Sequence, residues 1–255
     1  MPNRREGSTA SGTAFQGPLY GFGNRQGSAT AVAFGEIAGS DPRRVYWEDD
    51  FVGDLIRDEW NLYDLSPAGS PTAGMVANGV DGLYEITLAS TSEAETVALN
   101  WGDVLNIPAN KRPYFEAILT VVTLPIADER IVFGLGSARD NVLDNTTTNA
   151  WFRLEASGVL KAEIDDTVTD TDDASTGVTL VAGTKYRFAI DCRQSGLIAF
   201  IISDVDGNSP RVVYSKVAAL TSAGVQPTFI VQKDSGTGVP SIKIDKAHVN
   251  WSRTT

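Results

Sequence analysis

The chain has 255 residues, a formal charge of −11, one cysteine and one histidine. One cysteine rules out an internal disulfide framework, and one histidine leaves neither a zinc site nor a usual triad readily built. No apolar run approaches the roughly 20 residues that span a bilayer, and no hydrophobic stretch follows the basic N-terminus, so neither a membrane span nor a secretory signal is predicted. Residues 1–44 are dominated by Gly, Ser, Ala and Thr, with widely spaced aromatics at Phe15, Tyr20, Phe22 and Phe34. Ordering such a segment costs about 1–2 kcal/mol of backbone entropy per residue, and little apolar area is present to offset it. An extended arm that gains order on another surface is the expectation. Arg4, Arg5, Arg25, Arg43 and Arg44 outnumber its three acids, giving +2, so the remainder carries −13. An acidic body repels phosphate backbones, which argues against nucleic-acid binding.

From Val45 onward the pattern is strand, turn, strand, and residues 45–255 are read as one domain. Strands are predicted at 45–51, 83–89, 95–101, 113–123, 130–136, 150–156, 159–164, 177–181, 184–191, 197–203, 211–215, 226–233 and 241–251. They are rich in Val, Ile, Phe, Tyr and Thr and bounded by turn pairs such as Asn78-Gly79, Asp81-Gly82 and Asp206-Gly207. Tyr186, Phe188 and Ile190 alternate with polar residues, as in a half-buried strand, whereas 197–202 is apolar on both faces and must be covered twice. The apolar set of the last strand changes register after Ile244, which predicts a bulge near Asp245-Lys246. Asp54 to Trp60 has the composition of a single helical turn capped by Asp54. A dozen or so short strands without helices make a two-sheet sandwich, all-β and antiparallel.

Few residues form a chemical constellation. Glu163 and Asp165 share a strand face, as in the Glu-x-Asp-x-Glu strand of laminarinase-type hydrolases, but position 167 is threonine, so the second catalytic acid is missing. No catalytic residue is assigned, and the run on to Asp170, Asp172 and Asp173 reads as a solvated acidic loop. Calcium is the one metal the sequence offers ligands for, by charge alone in the Asp165–Asp173 loop and through Asp204, Asp206 and Asn208. These stand at first, third and fifth positions as in a calcium loop, but the glycine is fourth and the twelfth residue is Ser215. His248 and Cys192 are read as structural. Trp47, Trp60, Trp101, Trp151 and Trp251 would stack on sugars only if several line one concave face.

The segments Trp47-Glu-Asp-Asp-Phe51, Asp58-Glu-Trp60, Gly82-Leu-Tyr-Glu-Ile-Thr87, Asn100-Trp-Gly102, Pro113-Tyr-Phe-Glu-Ala117, Val132-Phe-Gly-Leu-Gly136, Lys185-Tyr-Arg-Phe-Ala-Ile190 and Ile244-Asp-Lys-Ala-His-Val249 follow in one order. Together they resemble concanavalin A-like (laminin G-like) jelly rolls, in particular those of tailed-bacteriophage virion structural proteins. The resemblance spans about 45–252. It implies a capsid decoration or cement protein on the outer surface of the virion, made in the host cytoplasm. Its partners would be the major capsid protein and neighbouring copies of itself, as a homo-oligomer, gripped by the arm through Arg4, Arg5, Phe15, Tyr20, Phe22, Arg25, Phe34, Arg43 and Arg44. The alternative is a carbohydrate-binding module of a tail fibre or baseplate with a glycan as ligand. That reading predicts an aromatic cluster beside the Asp165–Asp173 or Asp204–Asn208 loops.

Overall fold

The computed structural model describes residues 43–166, 168–220 and 224–253. The first strands are β1 (Arg44–Asp49), β2 (Asn61–Asp64), β3 (Thr72–Met75), β4 (Tyr84–Thr87), β5 (Glu95–Asn100) and β6 (Ile107–Pro108). The middle of the chain forms β7 (Tyr114–Thr123), β8 (Glu129–Gly136), β9 (Asn149–Leu154), β10 (Val159–Asp165) and β11 (Asp170–Thr179). Last come β12 (Lys185–Asp191), β13 (Ile198–Ser203), β14 (Arg211–Lys216), β15 (Gly224–Lys233) and β16 (Ser241–Ser252). One sheet runs β14-β13-β12-β7-β16-β4-β3, with β1 also on β16; the other runs β11-β10-β9-β8-β15-β5-β2, with β6 on β15. Every pairing is antiparallel. The all-β, two-sheet antiparallel jelly roll read from the sequence is the observed fold.

Period-2 alternation sends Phe115, Ala117 and Leu119 of β7 and Phe188 and Ile190 of β12 inward from the first sheet. Phe133 of β8 and Phe152 of β9 meet them from the second. Their rings lie 5.3 Å apart, Phe133 is 4.8 Å from Phe188, and Phe152 is 5.1 Å from Phe200. Each buried phenyl stabilises by about 1.5–3 kcal/mol, with about 0.5–1.5 kcal/mol more for each aromatic pair. The doubly apolar strand is β13. Its Ile198 and Phe200 enter this core, while Ile201 packs with Tyr114, Ala189 and Val212 on the opposite face. The chain itself therefore supplies the second cover.

The register change in β16 falls between Ile244 and Lys246, at the expected bulge. It has a topological use: Ser241–Ile244 pairs with β4, and Ala247–Ser252 pairs with β1. Three features differ from expectation. The acidic run is strand rather than loop, because Asp170–Thr179 pairs with β10 through two register shifts that absorb its irregular spacing. Residues 54–60 form turns rather than a helical turn, with Trp60 N–H donating to Arg57 O at 3.0 Å. Short strands β2, β3 and β6 were not anticipated.

The outward face of the second sheet is not open. The 137–148 connection lies over it and seats Leu143 against Ala98, Val132, Trp151 and Ile230. Gln226 Nε2 donates to Ser137 O at 3.2 Å, and Gln232 Nε2 donates to Asn141 O at 3.1 Å, which pins the loop down.

His248 is a structural residue on β16. Its Nδ1 lies 3.2 Å from Glu48 Oε2, and Lys246 Nζ lies 2.9 Å from the same oxygen. Hydrogen bonding from His248, followed by that from Lys246, holds the Glu48 carboxyl down at about 2 against the opposing effect of burial. A carboxyl depressed on folding stabilises above its unfolded pKa and loses that contribution as pH falls through the folded value. Melting temperature is thus expected to fall between about pH 4.5 and about pH 2, and Glu48→Gln to flatten that part of the profile. An identical profile for the variant would remove Glu48 from the account.

Candidate functional site

The five tryptophans divide by topology. Trp151 is buried beneath the 137–148 loop, and Trp60 is buried with its indole N–H donating to Asp49 Oδ2 at 2.8 Å. Trp47, Trp101 and Trp251 come together at the β1–β2 side of the sandwich and line a cleft of about 320 Å³. That volume lies at the lower end of the range for small-molecule sites.

Each wall has a local cause. Trp47 pairs with Val249 and Val45 with Trp251 across β1 and β16, so period 2 puts both indoles on the same face. Trp101 follows the end of β5 and meets Trp47 edge-on, with ring centroids 4.9 Å apart at 75°. The 50–60 connection is fastened by Asp49, which accepts from Phe51 N at 3.0 Å and from the Trp60 indole. It delivers Asp58 and Glu59, both exposed, to the rim. Gly102 sits at φ +69°, and its missing Cβ is the space that Asn61 Nδ2 occupies, 2.6 Å from where a Cβ would lie. Any side chain at 102 would push Asn61 away, so the glycine is required twice, for backbone and for approach. Asn106 completes the polar rim, and Val104, about half exposed, offers apolar surface beside it. The result is an aromatic floor with side-chain amides and carboxylates above it.

A second cluster stands at the opposite edge of the second sheet, on the β10–β11 hairpin. Oxygens of Glu163, Asp165 and Asp172 lie within 4.8 Å of one another. Burial pushes the Glu163 carboxyl up to about 7, with Asp165 adding to the rise while Arg153 opposes it. Burial also raises Asp165, with Asp172 contributing, and raises Asp172, with Asp170 contributing. Asn149 Nδ2 donates to Asp165 Oδ2 at 2.5 Å, while its own buried Oδ1 has no hydrogen-bond partner. Three hard carboxylate oxygens this close together are a donor set that fits Ca²⁺. Among the described residues this is the only such cluster, and it excludes Asp204, Asp206 and Asn208. There Asp204 Oδ1 accepts from Asn208 N at 2.7 Å, closing a polar turn. Glu163 is fully buried and bonded to Arg153 Nη1 at 3.0 Å, so β10 cannot present an acid and a nucleophile across a glycosidic bond.

Arg4, Arg5, Phe15, Tyr20, Phe22, Arg25 and Phe34 lie outside the described residues. Arg43 O accepts from Arg253 N at 2.6 Å. Arg44 donates to Asn250 Oδ1, Ser252 Oγ and Arg112 O, which ties its guanidinium into the domain's own surface. Cys192 is buried in the core, and burial raises its thiol well above the usual range. No helix among the described residues is long and apolar enough to cross a membrane.

No protein-family model and no curated protein sequence matches the chain. Solved structures do. A protein of unknown function from Shewanella oneidensis MR-1 matches with TM-score 0.58 and 14% identity, over 83% of this chain and 90% of the other. The carbohydrate recognition domain of Emp47p matches with TM-score 0.54 and 13% identity, over 85% and 100%. Peanut lectin matches with TM-score 0.54 and 9% identity, over 83% and 99%. The fold is the concanavalin A-like jelly roll. The expectation of a tailed-phage virion protein is corrected. Among these structures, those whose role is stated are lectins or carbohydrate recognition domains, and none is stated to be a virion component. The capsid decoration role, the major capsid protein and neighbouring copies as partners, and the virion location fall with it. The physical reason is that the quoted segments are strand and turn chemistry, which a whole superfold shares and no single function owns. The aromatic cluster expected beside the acidic loops is also relocated, to the far edge of the sheet.

Proposed function

We propose that this chain is a non-catalytic carbohydrate-binding domain. The observation that carries the reading is the cleft in which Trp47, Trp101 and Trp251 form an apolar floor under the polar groups of Asn61, Asn106, Asp58 and Glu59. Sugars present just this pair of surfaces, a patch of C–H groups on one side of the ring and a fringe of hydroxyls. Flat aromatic faces receive the first, and amide and carboxylate groups receive the second. The same fold serves as scaffold in lectins and in a carbohydrate recognition domain, which supports the assignment. The Glu163, Asp165 and Asp172 hairpin is proposed as a Ca²⁺ site that stiffens the distant edge of the sheet.

A glycan array probed with the full chain tests the reading. Retention of a defined glycan set is expected, and Trp251→Ala is expected to weaken binding of those glycans about tenfold, the equivalent of ~1.4 kcal/mol. Trp251 is only partly buried and packs on the edge of the core, so the melting temperature of the variant is used to verify that it is folded. A silent array, or full binding by a folded Trp251→Ala variant, would overturn the proposal.

A further inference from the structure

The lining of the cleft is electrically one-sided. Asp58 and Glu59 are adjacent and exposed at its rim, and no lysine, arginine or histidine is among its lining residues. The neighbouring Arg57 is directed elsewhere, with Nε 3.5 Å from Asp49 Oδ1. The same lining holds the indole rings of Trp47, Trp101 and Trp251, with Trp47 meeting Trp101 at 75°. The negative faces of such rings attract a cation held above them. The carboxylates act on a ligand charge in the same sense as the rings, and a partly enclosed cleft screens that attraction less than open water does. The rest of the chain adds to it, since the formal charge of the whole is −11.

We infer that the cleft selects sugars carrying a protonated amine, unacetylated hexosamine units, over neutral sugars and against uronic acids. The inference rests on the cleft being the sugar site proposed above and names the ligand class it takes. An ammonium group on the sugar meets Asp58 or Glu59 while the ring lies on the indoles. A uronate in the same pose places like charges together. Asn61 and Asn106 hydrogen-bond hydroxyls of any sugar, so they set orientation rather than charge preference.

The test is a titration of the full chain, followed by tryptophan fluorescence or calorimetry, against four tetrasaccharides: β-1,4-linked glucosamine, its N-acetylated counterpart, a neutral glucan and an oligogalacturonate. The pH is held where the amine is protonated, at low and at moderate ionic strength. The glucosamine oligomer is expected to bind at least tenfold more tightly than the N-acetylated and neutral ones, with the margin shrinking in salt, and the oligogalacturonate not to bind. In an Asp58→Asn/Glu59→Gln double variant the margin is expected to fall to about twofold. Both positions are exposed, so the variant keeps its fold, which its melting temperature verifies. Equal or tighter binding of an acetylated or neutral oligomer overturns this inference while leaving the carbohydrate reading standing. The same holds for a preference that survives the double variant. If no oligosaccharide binds, the carbohydrate reading itself falls, and the inference with it.

Discussion

Replacing Lys233 by methionine is expected to cost about 3–5 kcal/mol of folding stability. Lys233 and Glu95 are cross-strand partners on β15 and β5, both fully buried, with Nζ 3.4 Å from Oε2. The ammonium also donates to Ala89 O and Thr91 O, each at 2.5 Å. Glu95 accepts from Ala89 N at 2.8 Å and from Thr91 Oγ1 at 3.0 Å. Two ions thereby clamp one turn of chain between the strands, and every strong donor and acceptor in the knot has a mate. Removing the lysine leaves a carboxylate in the interior and two carbonyls unanswered, which is the expensive way to break a buried pair. Urea denaturation should show the loss directly. Adding Glu95→Gln to the methionine variant removes the stranded charge and should recover part of it. A loss below about 1 kcal/mol for the single variant would mean that water reaches the pair.

The second large effect is expected at Arg153. Its guanidinium is almost buried and joins four carboxylates: Asp144 at 2.8 Å, Glu155 at 2.9 Å, Glu163 at 3.0 Å and Asp173 at 3.7 Å. One of these, Asp144, belongs to the loop that covers the second sheet, so the arginine both neutralises Glu163 and ties down that cover. Arg153→Met should cost about 3–5 kcal/mol when measured in a chelator. Calcium should then restore part of the loss, because a cation held by Glu163, Asp165 and Asp172 replaces the missing positive charge. At a hundredfold excess over the dissociation constant the restoration is about 2.7 kcal/mol. Thermal melts of both proteins with chelator and with millimolar Ca²⁺ decide the point. If Ca²⁺ shifts neither melt, the hairpin is not a calcium site.

What the sequence disclosed follows from how local each signal is. The long strands were legible because Phe115, Ala117, Leu119 and their like repeat with period 2 over enough residues to be unmistakable. Strands β2, β3 and β6 escaped because Asn61–Asp64, Thr72–Met75 and Ile107–Pro108 are too short to show a period, and β2 and β3 are four-residue segments at the sheet edges. The end of β11 falls in the strand predicted at 177–181, but its first part escaped because Asp170, Asp172 and Asp173 carry the composition of a loop; pairing along β10, not propensity, makes them extended. The bulge after Ile244 was visible because it shifts the apolar set by one place. The cleft was only half legible. Five tryptophans announced an aromatic resource, but which three share a wall depends on strand order, and Trp47 and Trp251 lie at opposite ends of the chain. The resemblance to virion proteins failed in the same way: it rested on segments that make a sandwich, while the specificity proposed above would reside in the rim residues Asp58, Glu59 and Asn61.

The pairing of β1 with the far end of β16 also sets the order in which this protein comes together. Trp47 and Trp251 are joined only when a loop of some two hundred residues closes, and such closures carry the largest entropy cost and the slowest rates in all-β chains. The bulge after Ile244 lets the earlier half of β16 settle on β4 and β7 without waiting for β1. On that ordering the sandwich condenses first and the tryptophan-lined cleft is the final joint to shut, so a chain arrested late in folding would have its core and lack the cleft.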